Sequence, residues 1–335
     1  MRATLMLLVS RVAAFTSRIA PAKRVVRMAS GLTDHEKFLF DLNGYLVVRG
    51  ALSADEIGEL NAAIDAHSHE AISRDATALK NAKRAGCFGA KGSRRDLGGM
   101  LNWEQDGFRK LLAHPKLAPY CDALLGPGYR LDHQPMVLQQ DAGSEGFSLH
   151  GGPLKGDHDL NPELQYRCVN GKPWNTLVAM AAHLVDAPAG AGGFCVVKGS
   201  HKSNFVVPPE WCAGLNDEFS KEHVYQVETK AGDVVFFSEA TVHGALPWTM
   251  PYERRLALYR FANANYAYGR AYLNEWSGAA ARCTEAQKAV LLPPYAPRLE
   301  RPMVPAAGDA GEVVAFERDA KKKAHDVAVF GTDYF

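Results

Sequence analysis

The sequence contains no Cys-x-x-Cys pair: its six cysteines, Cys87, Cys121, Cys168, Cys195, Cys212 and Cys283, are scattered over 335 residues. That distribution supplies neither a disulfide framework nor a structural zinc site, and it suits buried, reduced thiols in an intracellular compartment. Charge bias is missing too. Lys plus Arg number 38 against 37 Asp plus Glu, so no overall field recruits nucleic acid or a membrane surface, and the expected partner is a small-molecule substrate. Acids are absent from the first 33 residues, where Arg2, Arg11, Arg18, Lys23, Arg24 and Arg27 stand among Ser and Ala. Such composition belongs to organelle transit peptides, with a mitochondrion or plastid as destination; a start at Met28 would instead make residues 1–30 a leader of no consequence. The apolar run at 5–9 is short for a secretory core and far too short to span a bilayer.

What the sequence does contain is an ordered stretch beginning near Thr33. Residues 38–51 read as a helix end and then a strand, broken at Asn43-Gly44. Ser53 with Glu56 forms a capping box, and Ile57, Leu60 and Ile64 follow at helical spacing, predicting a helix to about His67. Residues 80–95 collect Lys80, Lys83, Arg84, Lys91, Arg94 and Arg95 with no acid, which reads as a solvated loop or, less commonly, a grip on an anionic group. Residues 108–125 read as one amphipathic stretch. Beyond them come short strands at 136–140, 176–185, 194–197, 234–237 and 255–261, separated by Gly-, Pro-, Asp- and Asn-containing turns. Strands in succession without intervening helices predict a mainly β protein with flanking helices, a sandwich or jelly roll and not a parallel α/β sheet. After Asn265 the chain turns Pro- and charge-rich. The expected division is a leader at 1–30, a β domain with N-terminal helices at 31–268, and an extension at 269–335.

Two histidines stand beside predicted strands, His150 after 136–140 and His243 after 234–237. Neutral imidazole is a good ligand for Fe(II), and two such ligands leave positions open for substrate and oxygen. Arg254 and Arg255 follow. Adjacent strand residues face opposite ways, so one guanidinium can turn inward and grip a carboxylate bidentately. Each feature is weak alone; in this order beside strands they form a signal. Gln139, Trp174, Asn175 and Trp248 are further pocket candidates, although ordinary packing explains each of them better.

Residues 34–57, 190–204 (GAGGFCVVKGSHKSN) and 231–263 (AGDVVFFSEATVHGALPWTMPYERRLALYRFAN) resemble segments of the phytanoyl-CoA dioxygenase family. The resemblance runs from about 34 to 265. It implies a cupin-like double-stranded β-helix binding Fe(II) and 2-oxoglutarate, with His150 as proximal metal ligand, His243 as distal ligand, Arg254 as the 2-oxoglutarate clamp (Gln139 beside it) and Arg255 as its outward neighbour. His201 belongs to the strand-end motif and reads as structural.

One element of the family pattern is lacking. The proximal motif is His-x-Asp, whereas here His150 is followed by Gly151 and Gly152. Gly152 leaves room for an anion such as chloride, as in the radical halogenases of this superfamily. Alternatively Asp157, Asp159 or Glu145 swings in, or water fills the gap, and the enzyme hydroxylates. A third reading is lost metal affinity and a jelly-roll binding protein with relic residues. A hydrolytic zinc site is disfavoured, since Gly152 removes the obvious group for activating water.

Overall fold

The predicted strands assemble into two facing antiparallel sheets. The computed structural model describes residues 23–24, 31–73, 94–144, 146–208, 211, 218–269, 277–306 and 311–333. Most of the leader, the basic run up to 93, Glu145, Cys87 and Cys212 therefore lie outside the described residues, as does the side chain of Asp157.

The larger sheet runs β2 (Tyr45–Val48), β13 (Val234–Ser238), β10 (Leu177–His183), β15 (Arg254–Ala262), β6 (Met136–Gln140), β4 (Arg94–Leu97) and β3 (Ile72–Ser73), with β5 (Arg130–Leu131) also pairing β15. The smaller runs β12 (Val224–Gln226), β11 (Gly193–Val197), β14 (His243–Leu246) and β7 (Phe147–His150). A hairpin of β8 (Tyr166–Val169) and β9 (Lys172–Asn175), and a parallel pair of β1 (Lys23–Arg24) with β16 (Val314–Ala315), complete the strands. This is the expected mainly β architecture.

The central strands are buried on both faces, and side-chain alternation divides them between two cores. Val178, Met180, Val234, Phe236, Ala257, Tyr259 and Phe261 face outward into a large core shared with the helices. Ala179, Ala181, Val235, Phe237, Leu256 and Leu258 face inward, where Phe194 and Val196 of the smaller sheet meet them. The space between the sheets is therefore lined by one parity of each strand.

The helices cover the outer face. Asp34–Asn43 and Ala54–Ala66 both begin with complete capping boxes, Thr33 with Glu36 and Ser53 with Glu56. Gly44 ends the first helix in the left-handed region, close over His201 and Thr241, where any side chain would collide with Thr241 Oγ1. The single helix expected over 108–125 is instead Gly107–Lys110, the 3-10 turn Leu111–Ala113 and Ala118–Leu125. Pro115 is the cause: it drives His114 to ψ 129 and stops the first segment, while the next helix carries a proline in its first turn. Part of the expected extension packs on the domain. Ala286, Val290 and Leu291 join the large core, and the buried Arg301 donates to the carbonyls of Gly128, Leu292 and Pro293. Among the described residues no helix is long and apolar enough to cross a membrane.

Candidate functional site

Between the sheets lies a cavity of about 370 Å³. Its walls are the inward parity of the strands: Leu138, Leu177, Phe194, Phe237, Leu256 and Leu258. Polar groups concentrate around two arginines of β15. Arg254 and Arg260 lie six residues apart on the same face, roughly 20 Å along an extended strand.

The two sequence-predicted histidines meet. His150 closes β7, His243 opens β14, and the two are direct cross-strand partners. Their ring centroids stand 4.2 Å apart with the planes tilted by 53°. Each ring is oriented identically: His150 Nδ1 lies 2.9 Å from the Ser148 carbonyl, and His243 Nδ1 lies 2.7 Å from the Thr241 carbonyl. A carbonyl only accepts, so both Nδ1 atoms carry the hydrogen and both Nε2 atoms present lone pairs. An imidazole whose Nδ1–H is pinned by a carbonyl is the usual posture of a metal-ligating histidine. Burial first, and the neighbouring His243 next, push the His150 pKa down to about 3; burial also lowers that of His243. Both rings are therefore neutral at physiological pH, as ligation requires.

The turn after His150 explains its glycines unequally. At Gly151, with φ +94, a Cβ would come within 2.6 Å of the Thr241 carbonyl oxygen and 2.9 Å of that of Glu239, so no side chain fits. At Gly152, with φ +102, a Cβ would meet only Val242 at 3.6 Å and Leu154 at 3.9 Å, with neither imidazole within 4 Å. Gly152 is buried but does not line the cavity. Asp159 is exposed on the following loop, away from the cavity lining.

A carboxylate absent from the sequence reading is present in the cavity. Glu239 continues the inward parity of Val235 and Phe237 one step past the end of β13 and is buried. Its Oε1 accepts from Arg260 Nε at 2.6 Å, and its Oε2 stands 3.8 Å from His243 Nε2. Burial alone would raise its pKa, but the charge and hydrogen bond of Arg260 outweigh that and lower it. The signal was available in that alternation, since an acid at an inward position beside a predicted metal ligand has no ordinary reason to be there.

Around Arg254 the predicted division of the arginine pair is visible. Arg254 is buried, lines the cavity and donates to Gln140 Oε1, while its Nε has no hydrogen-bond partner among the described residues. Gly193 lies against it, close enough that a Cβ would sit 2.9 Å from Nε. Arg255 faces the helical layer, donating to Glu253, Asn61 and Asp65. Arg94, from the basic run, also lines the cavity, and the register sets Arg94, Gln140 and Arg254 side by side on three neighbouring strands. Burial, then the nearby Arg94, pull the Arg254 pKa down to about 10.

Gln139, expected beside the cofactor, faces away from the cavity and donates to both carboxylate oxygens of Glu253 at 3.1 and 3.2 Å. Strand parity gives the cavity position to Gln140 instead. Of the other pocket candidates, Trp174 stacks under Arg167, Asn175 donates to the Leu124 carbonyl, and Trp248 is fully buried and donates to the Tyr252 carbonyl. His201 bridges to the Asp41 carbonyl at 3.0 Å, apart from the cavity.

The chain thus has the double-stranded β-helix of the cupin-like 2-oxoglutarate oxygenases, with its polar groups inside the barrel. The phytanoyl-CoA dioxygenase (PhyH) family model matches residues 40–255, and the protein belongs to that family. Among solved structures it is similar to HygX from Streptomyces hygroscopicus, in a crystal with nickel, 2-oxoglutarate and hygromycin B bound, at 20% identity over 71% of this chain and 90% of that one, TM-score 0.58. EctD from S. alaskensis, with 2-oxoglutarate and 5-hydroxyectoine, aligns at 17% identity over 74% of this chain and 82% of that one, TM-score 0.50. At such identities the likeness speaks for the fold. Curated proteins gave no sequence match.

Proposed function

We propose that the protein is an Fe(II)- and 2-oxoglutarate-dependent oxygenase acting on an unactivated C–H bond of a small molecule. The observation that carries this reading is the His150–His243 cross-strand pair, two neutral imidazoles with free Nε2 atoms at a cavity that also holds the half-partnered Arg254. The donor set suits a divalent iron ion, and HygX and EctD, on the same fold, are described with 2-oxoglutarate. Iron held there would supply oxygen activation coupled to oxidation of 2-oxoglutarate. The chain's own contributions are positional. Ser148 and Thr241 carbonyls fix the ring tautomers, Gln140 holds the Arg254 fork, and Arg254 takes the far carboxylate of the cosubstrate. The apolar walls exclude water and receive the apolar part of the substrate.

Hydroxylation is the outcome we favour over halogenation. A chloride beside the imidazoles would stand near the ionised Glu239, and like charges in a buried site repel strongly. Gly152, the residue whose smallness motivated a halide, does not line the cavity.

The test is anaerobic titration of the protein with Fe(II) and 2-oxoglutarate, with and without chloride, following the charge-transfer absorption of the chelate. The expected result is a chelate indifferent to chloride. A chelate that tightens with chloride would move the reading to halide transfer. No chelate at all would leave a jelly-roll binding protein.

A further inference from the structure

If His150 and His243 hold a divalent metal, Gly152 leaves one metal position without the family's protein acid. This inference rests on the oxygenase reading and concerns where that acid comes from. The cavity contains one buried glutamate, Glu239, and it enters from the opposite strand end. We propose that Glu239 is the third protein ligand of the metal, replacing in space the aspartate that the His-x-Gly turn lacks in sequence.

Three observations argue for it. Glu239 Oε2 stands 3.8 Å from His243 Nε2, less than the ~4.2 Å that separates two donors on opposite sides of one ion at bond lengths of about 2.1 Å. Its other oxygen, Oε1, is already engaged by Arg260 at 2.6 Å, so one oxygen is anchored and the other is available. Ligating carboxylates are commonly hydrogen-bonded in this way by a second group. Finally, the side-chain partners of Glu239 among the described residues are Arg260, whose charge it balances, and His243, so its carboxylate links the arginine to the imidazole pair. A buried charge kept for stability alone is a poor bargain, because a well-packed apolar residue usually does as well.

The geometry also states what must move. Among the described residues no three His, Cys, Asp or Glu side chains yet converge on a point that would hold a metal ion. For ligation the Glu239 side chain must turn so that Oε2 moves toward both imidazoles while Oε1 keeps its bond to Arg260. Gly151 cannot supply a ligand instead, since any Cβ there would collide with the Thr241 and Glu239 carbonyl oxygens.

The experiment is Co(II) binding to the full-length protein, read by calorimetry and by the intensity of the visible cobalt bands, which reports coordination number. Glu239→Gln is expected to weaken Co(II) by 100-fold or more and to change the band intensity. Arg260→Gln should cost only about 10-fold and keep the wild-type spectrum, as outer partners do. Glu239→Asp should retain part of the affinity. Equal affinity in wild type and Glu239→Gln would overturn the inference and leave the oxygenase reading standing. So would a loss in Glu239→Gln no greater than in Arg260→Gln. Failure of the wild-type protein to bind either Co(II) or Fe(II) would overturn both. Should Glu239→Gln unfold because Arg260 is orphaned, the double variant Glu239→Gln/Arg260→Gln decides by the same criteria.

Discussion

In the cavity, Arg254 gives one donor to Gln140 and leaves Nε unpartnered among the described residues, a fork with capacity for a carboxylate. Its neighbours hold it there: Gly193 admits it closely and Gln140 fixes its far side. Arg254→Met should therefore weaken 2-oxoglutarate by about 100-fold, the 2–3 kcal/mol typical of removing one partner from a buried charged pair. Arg254→Lys should recover little, because an ammonium cannot reproduce the bidentate fork. Arg255→Met is the control, with cosubstrate affinity within about threefold of wild type, since its bonds run to Glu253, Asn61 and Asp65 on the other face. Calorimetric titration of the cosubstrate separates these outcomes. At this scale the sequence was partly readable. The inward and outward roles of two adjacent arginines follow from strand parity, but which of Gln139 and Gln140 faces the cavity depends on register, and Gln140 wins because it pairs directly with Arg254. Glu239 escaped notice because the acids weighed, Glu145, Asp157 and Asp159, all flank His150, whereas Glu239 lies four residues before His243.

Strands and turns set the geometry that those residues use. The turn leaving β7 is tightly constrained: at Gly151 a Cβ would press on two backbone oxygens, and φ is +94. Gly151→Ala is expected to cost more than the about 1–2 kcal/mol of left-handed backbone strain, and to displace His150 from its partner. Gly152→Ala, whose Cβ would make only ordinary contacts with Val242 and Leu154, should cost only that strain. Denaturant midpoints and Co(II) affinity of the two variants together distinguish these cases. The buried strands β10, β13 and β15 were legible because long apolar runs bounded by turns admit few other readings. β3 and β4 were not, since each is short and β4 carries Arg94 and Arg95 among its four residues. The helix expected over 108–125 failed at Pro115, where a local rule should have overridden the amphipathic pattern.

Over the whole molecule, buried neutral imidazoles make folding sensitive to acid. Burial pushes His183 down to about 3 and His201 down to about 4, against an ordinary value near 6.5. Between those limits the unfolded chain binds protons that the folded chain refuses, so stability is complete above about pH 6.5 and falls as pH drops toward 4. Each histidine should cost about 2 kcal/mol on going from pH 7 to pH 5. Urea unfolding at the two pH values measures the loss, and His201→Gln should reduce it by about one histidine's share. That loss would be absent if water reaches both rings in the folded state.

The His150–His243 register has one more consequence. The two imidazoles sit on neighbouring strands of the smaller sheet, directly opposite each other, with a register irregularity between His243 and Ala245. Anything bound by both rings therefore staples β7 to β14 across their hydrogen-bonded seam. Occupancy should be visible as slowed amide hydrogen exchange in the smaller sheet, spreading to β11 through its pairing with β14, and at the end of β13 in the larger sheet where Glu239 also ligates.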